Sequence, residues 1–144
     1  MSKVSTYLNF ARNTEQAFEF YRSVFGGEYV WGIHRFRDIP PAEGVPTLSE
    51  EDKNLIMHVA LPIMDGHLLM GTDAPESMGF QVRPGNNVYV SLEPDTRAEA
   101  DEIFAKLSAN GTIHMPLADI FWGAYYGSLV DQFGVQWMIN CTGK

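Results

Sequence analysis

Several common features are scarce or missing in this chain, and each absence narrows what the protein can be. The sequence has a single cysteine, Cys141, which excludes an intramolecular disulfide and is typical of a reducing compartment. No apolar run approaches the roughly 18 residues of a membrane-spanning helix, and the first residues lack the apolar core of a signal peptide. We therefore expect a cytoplasmic protein with no membrane partner.

Positive charge is also scarce. The chain has 10 lysine and arginine residues against 18 acidic residues, which gives a net charge of −8 at pH 7. A surface that binds nucleic acid needs clustered basic residues, whereas the arginines here are scattered along the sequence. We therefore expect no nucleic acid partner.

What the sequence does contain is one pattern written twice. Residues 4–27 combine an alternating strand, an amphipathic helix and a glycine stop, and residues 88–111 repeat them at an offset of about 84 residues. The ends of the halves also match, because Asp65-Gly66 and Phe133-Gly134 each precede a short apolar segment. Two copies of one supersecondary unit are indicated, and the space between them is the expected place for a ligand.

The repeat predicts the domain organisation. A chain of 144 residues is long enough for one domain, over residues 1–144. Within it the pattern predicts a unit one at 3–73, a linker at 74–87 that is rich in proline and glycine, and a unit two at 88–142.

Each unit is predicted to contain a strand, a helix and three further strands. In unit one the helix follows a capping box of Asn13 and Gln16, and in unit two it follows one of Thr96 and Glu99. A surface loop is predicted at residues 38–53, which contain prolines and an acidic run. The predicted strands lie at residues 5–10, 29–37, 56–63, 67–73, 88–93, 112–115, 122–129 and 135–140.

Several short stretches identify a family. They include Tyr7-Leu8-Asn9-Phe10, Met57-His58-Val59-Ala60, Phe121-Trp122-Gly123 and Asp131-Gln132-Phe133-Gly134. Together with the doubled unit they resemble the PhnB-like branch of the vicinal oxygen chelate superfamily, which holds glyoxalases, bleomycin-resistance proteins and dioxygenases. The resemblance implies an α+β fold in which two tandem βαβββ units form a curved mixed sheet around a cavity. It also implies a homodimer.

The resemblance further implies up to four metal-ligand positions, on the first and last strand of each unit, where enzymes of the superfamily carry His, Glu or Gln. The repeat places Met70 and Met138 at the last-strand positions. The first-strand positions fall at Ser5 and Tyr89, or one residue away at Thr6 and Val88. A thioether is a soft ligand, and an isolated hydroxyl binds divalent ions weakly. We therefore expect no divalent metal cofactor at these positions.

The alternation of the strands predicts which side chains face a ligand, because successive residues point to opposite faces of a sheet. Aromatic and methionine side chains with a few polar groups are typical of a small-molecule pocket, although they also serve as core. The predicted ligand-binding residues are Tyr7, Asn9, Met70, Tyr89, Ser91, Trp122, Tyr126 and Met138, with Tyr125 nearby. The expected ligand is a small apolar or aromatic molecule.

Acid–base chemistry is the alternative. If Asp65-Gly66 is a two-residue turn, His58 faces Asp73 and Met70 faces Leu61 on the other side of the strand pair. A His–Asp pair is either a general base with its orienting carboxylate or a structural pair. Glu93 is the other acid–base candidate.

These observations leave three functions to compare. The leading prediction is a metal-free small-molecule binding protein. One alternative is a glyoxalase- or dioxygenase-like metalloenzyme with relocated ligands, for which His34, His67 and His114 are available. The other is a metal-free enzyme that uses His58 or Glu93 as acid or base.

Overall fold

The computed structural model describes residues 1–40, 42–44 and 47–144, and these form two compact units, Met1–Val82 and Arg83–Lys144. The boundary falls inside the predicted linker 74–87, and we keep the names unit one and unit two. Within the described residues, each unit holds one four-stranded mixed sheet and one long helix. The predicted α+β class and the doubled βαβββ unit are therefore confirmed. No helix in the described part of the chain has the length and apolarity needed to cross a membrane.

Unit one contains the first four strands. Its sheet has the order β1-β4-β3-β2, in which β1 runs parallel to β4 and the other neighbours are antiparallel. The elements are β1 (Thr6–Phe10), α1 (Thr14–Phe25), β2 (His34–Arg35), α2 (Glu50–Lys53), β3 (Ile56–Ile63) and β4 (His67–Asp73), with 3₁₀ turns at Phe36–Asp38 and Glu76–Met78.

Unit two repeats this topology. Its sheet order is β5-β8-β7-β6, again with one parallel pair, β5 with β8, and antiparallel neighbours elsewhere. The elements are β5 (Val90–Leu92), α3 (Arg97–Ser108), β6 (Thr112–Asp119), β7 (Tyr125–Val130) and β8 (Gln136–Cys141). The internal symmetry predicted from the sequence is thus present in the strand connections as well as in the apolar pattern.

Each long helix packs on one face of the sheet in its own unit. On α1 the apolar stripe includes Ala17, Phe18 and Tyr21, all with at most 1% of their surface exposed. The helix approaches the sheet closely at Gly71, where a Cβ atom would lie only 2.5 Å from the Phe18 ring. In unit two a Cβ at Gly127 would lie 2.9 Å from the ring of Phe104 on α3. These contacts identify the helix-covered face of each sheet.

The two helix starts differ from each other. Thr96 accepts a hydrogen bond from the Glu99 amide at 3.1 Å, as its predicted N-cap role requires. The predicted capping box at Asn13 is wrong, because the Asn13 side chain makes no capping hydrogen bond. A carboxylate from the end of β4, that of Asp73, accepts from the amide of Thr14 instead.

Two predicted segments of unit one also change. The strand predicted at 29–37 shrinks to β2, because Trp31 and Gly32 both adopt positive φ, of 62° and 71°, which interrupts an extended strand. The loop predicted at 38–53 contains α2, whose N-cap Ser49 accepts from the Asp52 amide. Positions 41, 45 and 46 of that loop lie outside the described residues.

Candidate functional site

The face of the unit-one sheet opposite α1 carries a row of predicted ligand residues. Tyr7 on β1 lies beside Met70 on β4, and Met70 lies beside Ala60 on β3. Because Gly71 faces α1, alternation turns Met70 and Tyr7 to the other side, which we call the helix-free face. Tyr7 is 49% exposed, Met70 is half-buried and Ala60 is buried.

Unit two repeats this row. Ser91 on β5 lies beside Met138 on β8, which lies beside Ser128 on β7. The offset between Tyr7 and Ser91 is the one found in the sequence repeat, so the two methionines occupy equivalent places. The first-strand residue beside Met70 is thus Tyr7, and the one beside Met138 is Ser91. The sequence predicted Ser5 and Tyr89 for these places, which lie two positions earlier in the chain.

The predicted register of the β3–β4 hairpin is wrong by one residue. Ile63 pairs with His67, so the loop has three residues, Met64 to Gly66, and both Met64 and Gly66 have positive φ. Met70 therefore lies opposite Ala60 and not opposite Leu61. A shift of one residue moves a side chain to the other face of a sheet. His58 accordingly belongs to the helix-free face, and Asp73 belongs to the face of Gly71.

Asp73 has a structural role in this arrangement. Asp73 is 3% exposed. Oδ1 accepts hydrogen bonds from the amide and the hydroxyl of Thr14, at 3.1 and 2.8 Å, and Oδ2 accepts from the amide of Ile56 at 2.8 Å. Both oxygens therefore join the start of α1 to the start of β3, and the predicted pairing of Asp73 with His58 does not occur.

His58 is instead surrounded by aromatic rings. The ring centroids of Tyr7, Trp31 and His34 lie 6.1, 6.2 and 6.4 Å from its own, and we call these four residues the His58 cluster. Burial lowers the pKa of His58, and the neighbouring His34 lowers it further. His58 therefore carries an unprotonated ring nitrogen at neutral pH.

The aromatic residues of unit two divide between the two faces of its sheet. Trp122 contacts Tyr126 edge to face, with ring centroids 6.2 Å apart. Tyr125, which the sequence places near the ligand residues, lies on the other face of the sheet. Its hydroxyl donates to Asp101 on α3 at 2.5 Å, and the guanidinium of Arg97 lies 4.6 Å from its ring centroid, so it faces the helix.

The remaining predicted residues lie at accessible positions. Asn9 is exposed near the end of β1, and Tyr89 and Glu93 flank β5 and are also exposed. The binding roles of Asn9 and Tyr89 and the acid–base role of Glu93 stay predictions.

The histidines considered for a relocated metal site are not assembled into one. His67 shares the helix-covered face with Thr6, whose hydroxyl lies 2.9 Å from Nε2 of His67. His34 pairs with His58 across β2 and β3, and His114 is exposed on β6. Over residues 1–40, 42–44 and 47–144, no group of three or more His, Cys, Asp or Glu side chains is placed to hold a metal ion.

The residues that sequence reasoning missed are Trp31 and His34 as neighbours of His58. The sequence did contain one indication of this arrangement. Gly32 follows Trp31 inside the predicted strand, and a glycine in a strand often marks a break in regular pairing. Periodicity alone gave no reason to place these rings beside β3.

Comparison with known proteins agrees with this architecture. The model of the Glyoxalase/Bleomycin resistance protein/Dioxygenase superfamily matches residues 3–139. Protein YjdN of Escherichia coli (strain K12) is 29% identical over 142 residues, which cover 95% of this chain and 93% of YjdN. A crystal structure of a Pseudomonas aeruginosa protein matches with a TM-score of 0.82 and 32% identity over 100% of both chains. The PhnB protein of Bacillus cereus matches with a TM-score of 0.73 and 28% identity, over 97% of this chain and 99% of that protein.

Proposed function

The chain belongs to the glyoxalase/bleomycin resistance protein/dioxygenase superfamily, and on that premise we propose that it is a small-molecule binding protein. The ligand is an apolar or aromatic molecule held on the helix-free face of unit one. The observation that carries the proposal is the pair of Tyr7 and Met70, which presents a phenol and a thioether on neighbouring strands beside the buried Ala60. A thioether adapts to irregular apolar ligands, and a phenol adds a fixed hydroxyl.

The donor atoms of the two rows do not fit the divalent metal that the superfamily implies. The row in unit one offers the sulfur of Met70 and the hydroxyl of Tyr7, and the row in unit two offers the sulfur of Met138 and the hydroxyls of Ser91 and Ser128. Hard and borderline divalent ions prefer imidazole and carboxylate ligands, which both rows lack. We therefore propose that these rows act without a metal.

Metal analysis tests this part of the proposal. Protein purified without chelator is analysed for its elements and then titrated with nickel, zinc, manganese and iron. We expect no stoichiometric retention and no saturable binding that depends on Met70. Retention of about one ion per chain that is lost in Met70→Leu would show that the row holds a metal after all.

Binding at Met70 is tested by labelling the methionine methyl groups and recording their NMR signals against a panel of small aromatic compounds. The Met70 methyl signal should shift, whereas that of Met64, exposed in the hairpin loop, should not. Met70→Gln should weaken binding about tenfold or more, because burying one methionine side chain contributes roughly 1.5–3 kcal/mol. Met64→Gln is the matched control, and equal losses in both variants would contradict the proposal.

One observation favours an acid–base enzyme as a second candidate. His58 faces the same side as Met70 and holds an unprotonated nitrogen at neutral pH because burial lowers its pKa. The ring of His34 lies 6.4 Å from that of His58. Asp73 does not orient His58, because its carboxylate accepts hydrogen bonds from Thr14. On any substrate found, His58→Gln should abolish turnover while His114→Gln leaves it unchanged. If His58→Gln keeps full turnover and Glu93→Gln loses it, Glu93 and not His58 is the general acid or base.

A further inference from the structure

Trp31 combines two unusual features. Its backbone adopts φ 62°, a left-handed conformation that costs a bulky residue energy and that glycine tolerates far better. Its indole is 67% exposed although it is a large apolar ring. A strained and exposed tryptophan contributes little to the stability of the fold, so the arrangement needs another explanation.

The segment that carries Trp31 is anchored on both sides. Before it, the amide of Val30 donates to the carbonyl of Ala60 on β3 at 2.9 Å. After it, Nε2 of His34 lies 2.8 Å from the carbonyl of Trp31. A carbonyl only accepts, so Nε2 carries the proton, and in the neutral ring Nδ1 is then left as an acceptor. These contacts hold the indole 6.2 Å from the ring of His58.

The rings of the cluster are not stacked on one another. Tyr7, Trp31 and His34 are tilted against the plane of His58 by 46°, 39° and 51°, at centroid distances of 6.1 to 6.4 Å. Aromatic faces that are not used inside the protein are available to stack on a flat ligand. Beside them, each of the two imidazoles has, in its neutral form, one ring nitrogen that accepts a hydrogen bond.

We propose that the His58 cluster binds a flat aromatic molecule bearing a hydroxyl or N–H group, that Trp31 stacks on its ring, and that an imidazole nitrogen accepts a hydrogen bond from that group. This rests on the proposed function, because it names the ligand class for the same helix-free face. The strain at Trp31 is then the cost of presenting the indole to the ligand.

Three probes of similar size separate the parts of this proposal. 2-Naphthol is flat and carries a donor, 2-methoxynaphthalene is flat without a donor, and decahydro-2-naphthol carries a donor without being aromatic. Calorimetry on the whole protein should find 2-naphthol bound at least about fivefold more tightly than either of the others. Equal affinity for 2-naphthol and 2-methoxynaphthalene would overturn the donor part, and equal affinity for decahydro-2-naphthol would overturn the stacking part.

Substitution of Trp31 provides the second arm. Trp31→Leu should weaken 2-naphthol binding about five- to tenfold, and Trp31→Phe should retain most of it. Phe80→Leu is the control, since Phe80 is an exposed aromatic residue outside the His58 cluster and outside the predicted ligand residues. Trp31→Gly should weaken binding and also raise the urea midpoint, since glycine relieves the positive φ. If the wild type binds 2-naphthol with a shift at Met70 and Trp31→Leu binds it equally well, this inference is wrong and the proposed function stands. If 2-naphthol and the broader aromatic panel leave the Met70 signal unmoved, the proposed function itself fails.

Discussion

At the scale of single residues, the carboxylate of Asp73 is occupied by three hydrogen bonds from the ends of α1 and β3. We predict that Asp73→Asn lowers the free energy of unfolding by about 1–3 kcal/mol, because the amide nitrogen replaces a buried acceptor with a donor. Urea denaturation measures the change. Asp65→Asn, exposed in the hairpin loop, should stay within about 0.5 kcal/mol of the wild type, and an equally small effect at Asp73 would contradict the assigned role.

A second prediction at this scale concerns the protonation of His58, whose pKa is lowered mainly by burial and secondarily by His34. In an NMR titration its midpoint should lie below the ordinary value of about 6.5. His34→Gln should raise the midpoint only in part, because burial remains. A midpoint at or above the ordinary value in the wild type would show that His58 is not desolvated.

The same shift fixes the sign of a pH effect on stability. Because the folded-state pKa of His58 is lower than the unfolded one, the unfolded chain takes up the proton first as the pH falls below about 6.5. The contribution of His58 to the free energy of unfolding therefore decreases on acidification through that range. In His58→Gln this contribution is lost, so the fall in stability between pH 7 and pH 5 should be smaller than in the wild type.

At the scale of elements, the contact of α1 with β4 depends on Gly71 lying under the Phe18 ring. We predict that Gly71→Ala costs about 1–3 kcal/mol, because Phe18 is buried and has little room to move. Urea denaturation should show the loss, and the double variant Gly71→Ala with Phe18→Leu should cost less than the sum of the two single changes. Gly85→Ala is the control, since the nearest atom to a Cβ there lies 3.7 Å away.

The elements also show how far periodicity predicts structure. Both long helices were predictable because their apolar stripes recur every three to four residues. α1 ends at Phe25, and its C-cap Gly26 has a positive φ of 76°, as the glycine stop predicts. α3 ends at Ser108 with Ala109 as its C-cap, so the glycine stop predicted at Gly111 lies beyond the end of that helix.

The short α2 was not predictable from any stripe. It depends on Ser49 at its start and on the guanidinium of Arg12, which donates to Asp52 at 2.8 Å from a distant part of unit one.

At the scale of the whole molecule, the edge strand β6 leads to a prediction about assembly. In the described part of unit two β6 lies at the end of the sheet, and its Ile113 and Met115 are 47% and 49% exposed. Open sheet edges with apolar side chains favour pairing with another chain, and a twofold homodimer is the commonest form. We propose such a dimer. Sedimentation should give twice the chain mass, and Ile113→Lys should give monomers while Thr112→Lys does not. A wild-type protein that sediments as a monomer would rule the dimer out.

The repeat is the feature that the sequence by itself determined. Alternation, amphipathic stripes and stop glycines are local properties, so they were legible at residues 4–27 and again at 88–111, and the equivalence of Met70 and Met138 followed from them. The doubled unit and the methionines at its equivalent positions were therefore predictable from the sequence alone, and the family followed from the resemblance of short stretches such as Tyr7-Leu8-Asn9-Phe10.

Only the tertiary structure decided which residues surround His58. The β3–β4 register depends on the hairpin loop, in which Met64 adopts a positive φ. Methionine rarely adopts this conformation, so its presence in the sequence did not predict it. The shift of the register by one residue places His58 on the face opposite Asp73, where its ring lies near those of Trp31 and His34. Contacts between distant segments depend on loop geometry and on competing hydrogen bonds, and neither is encoded in a local pattern.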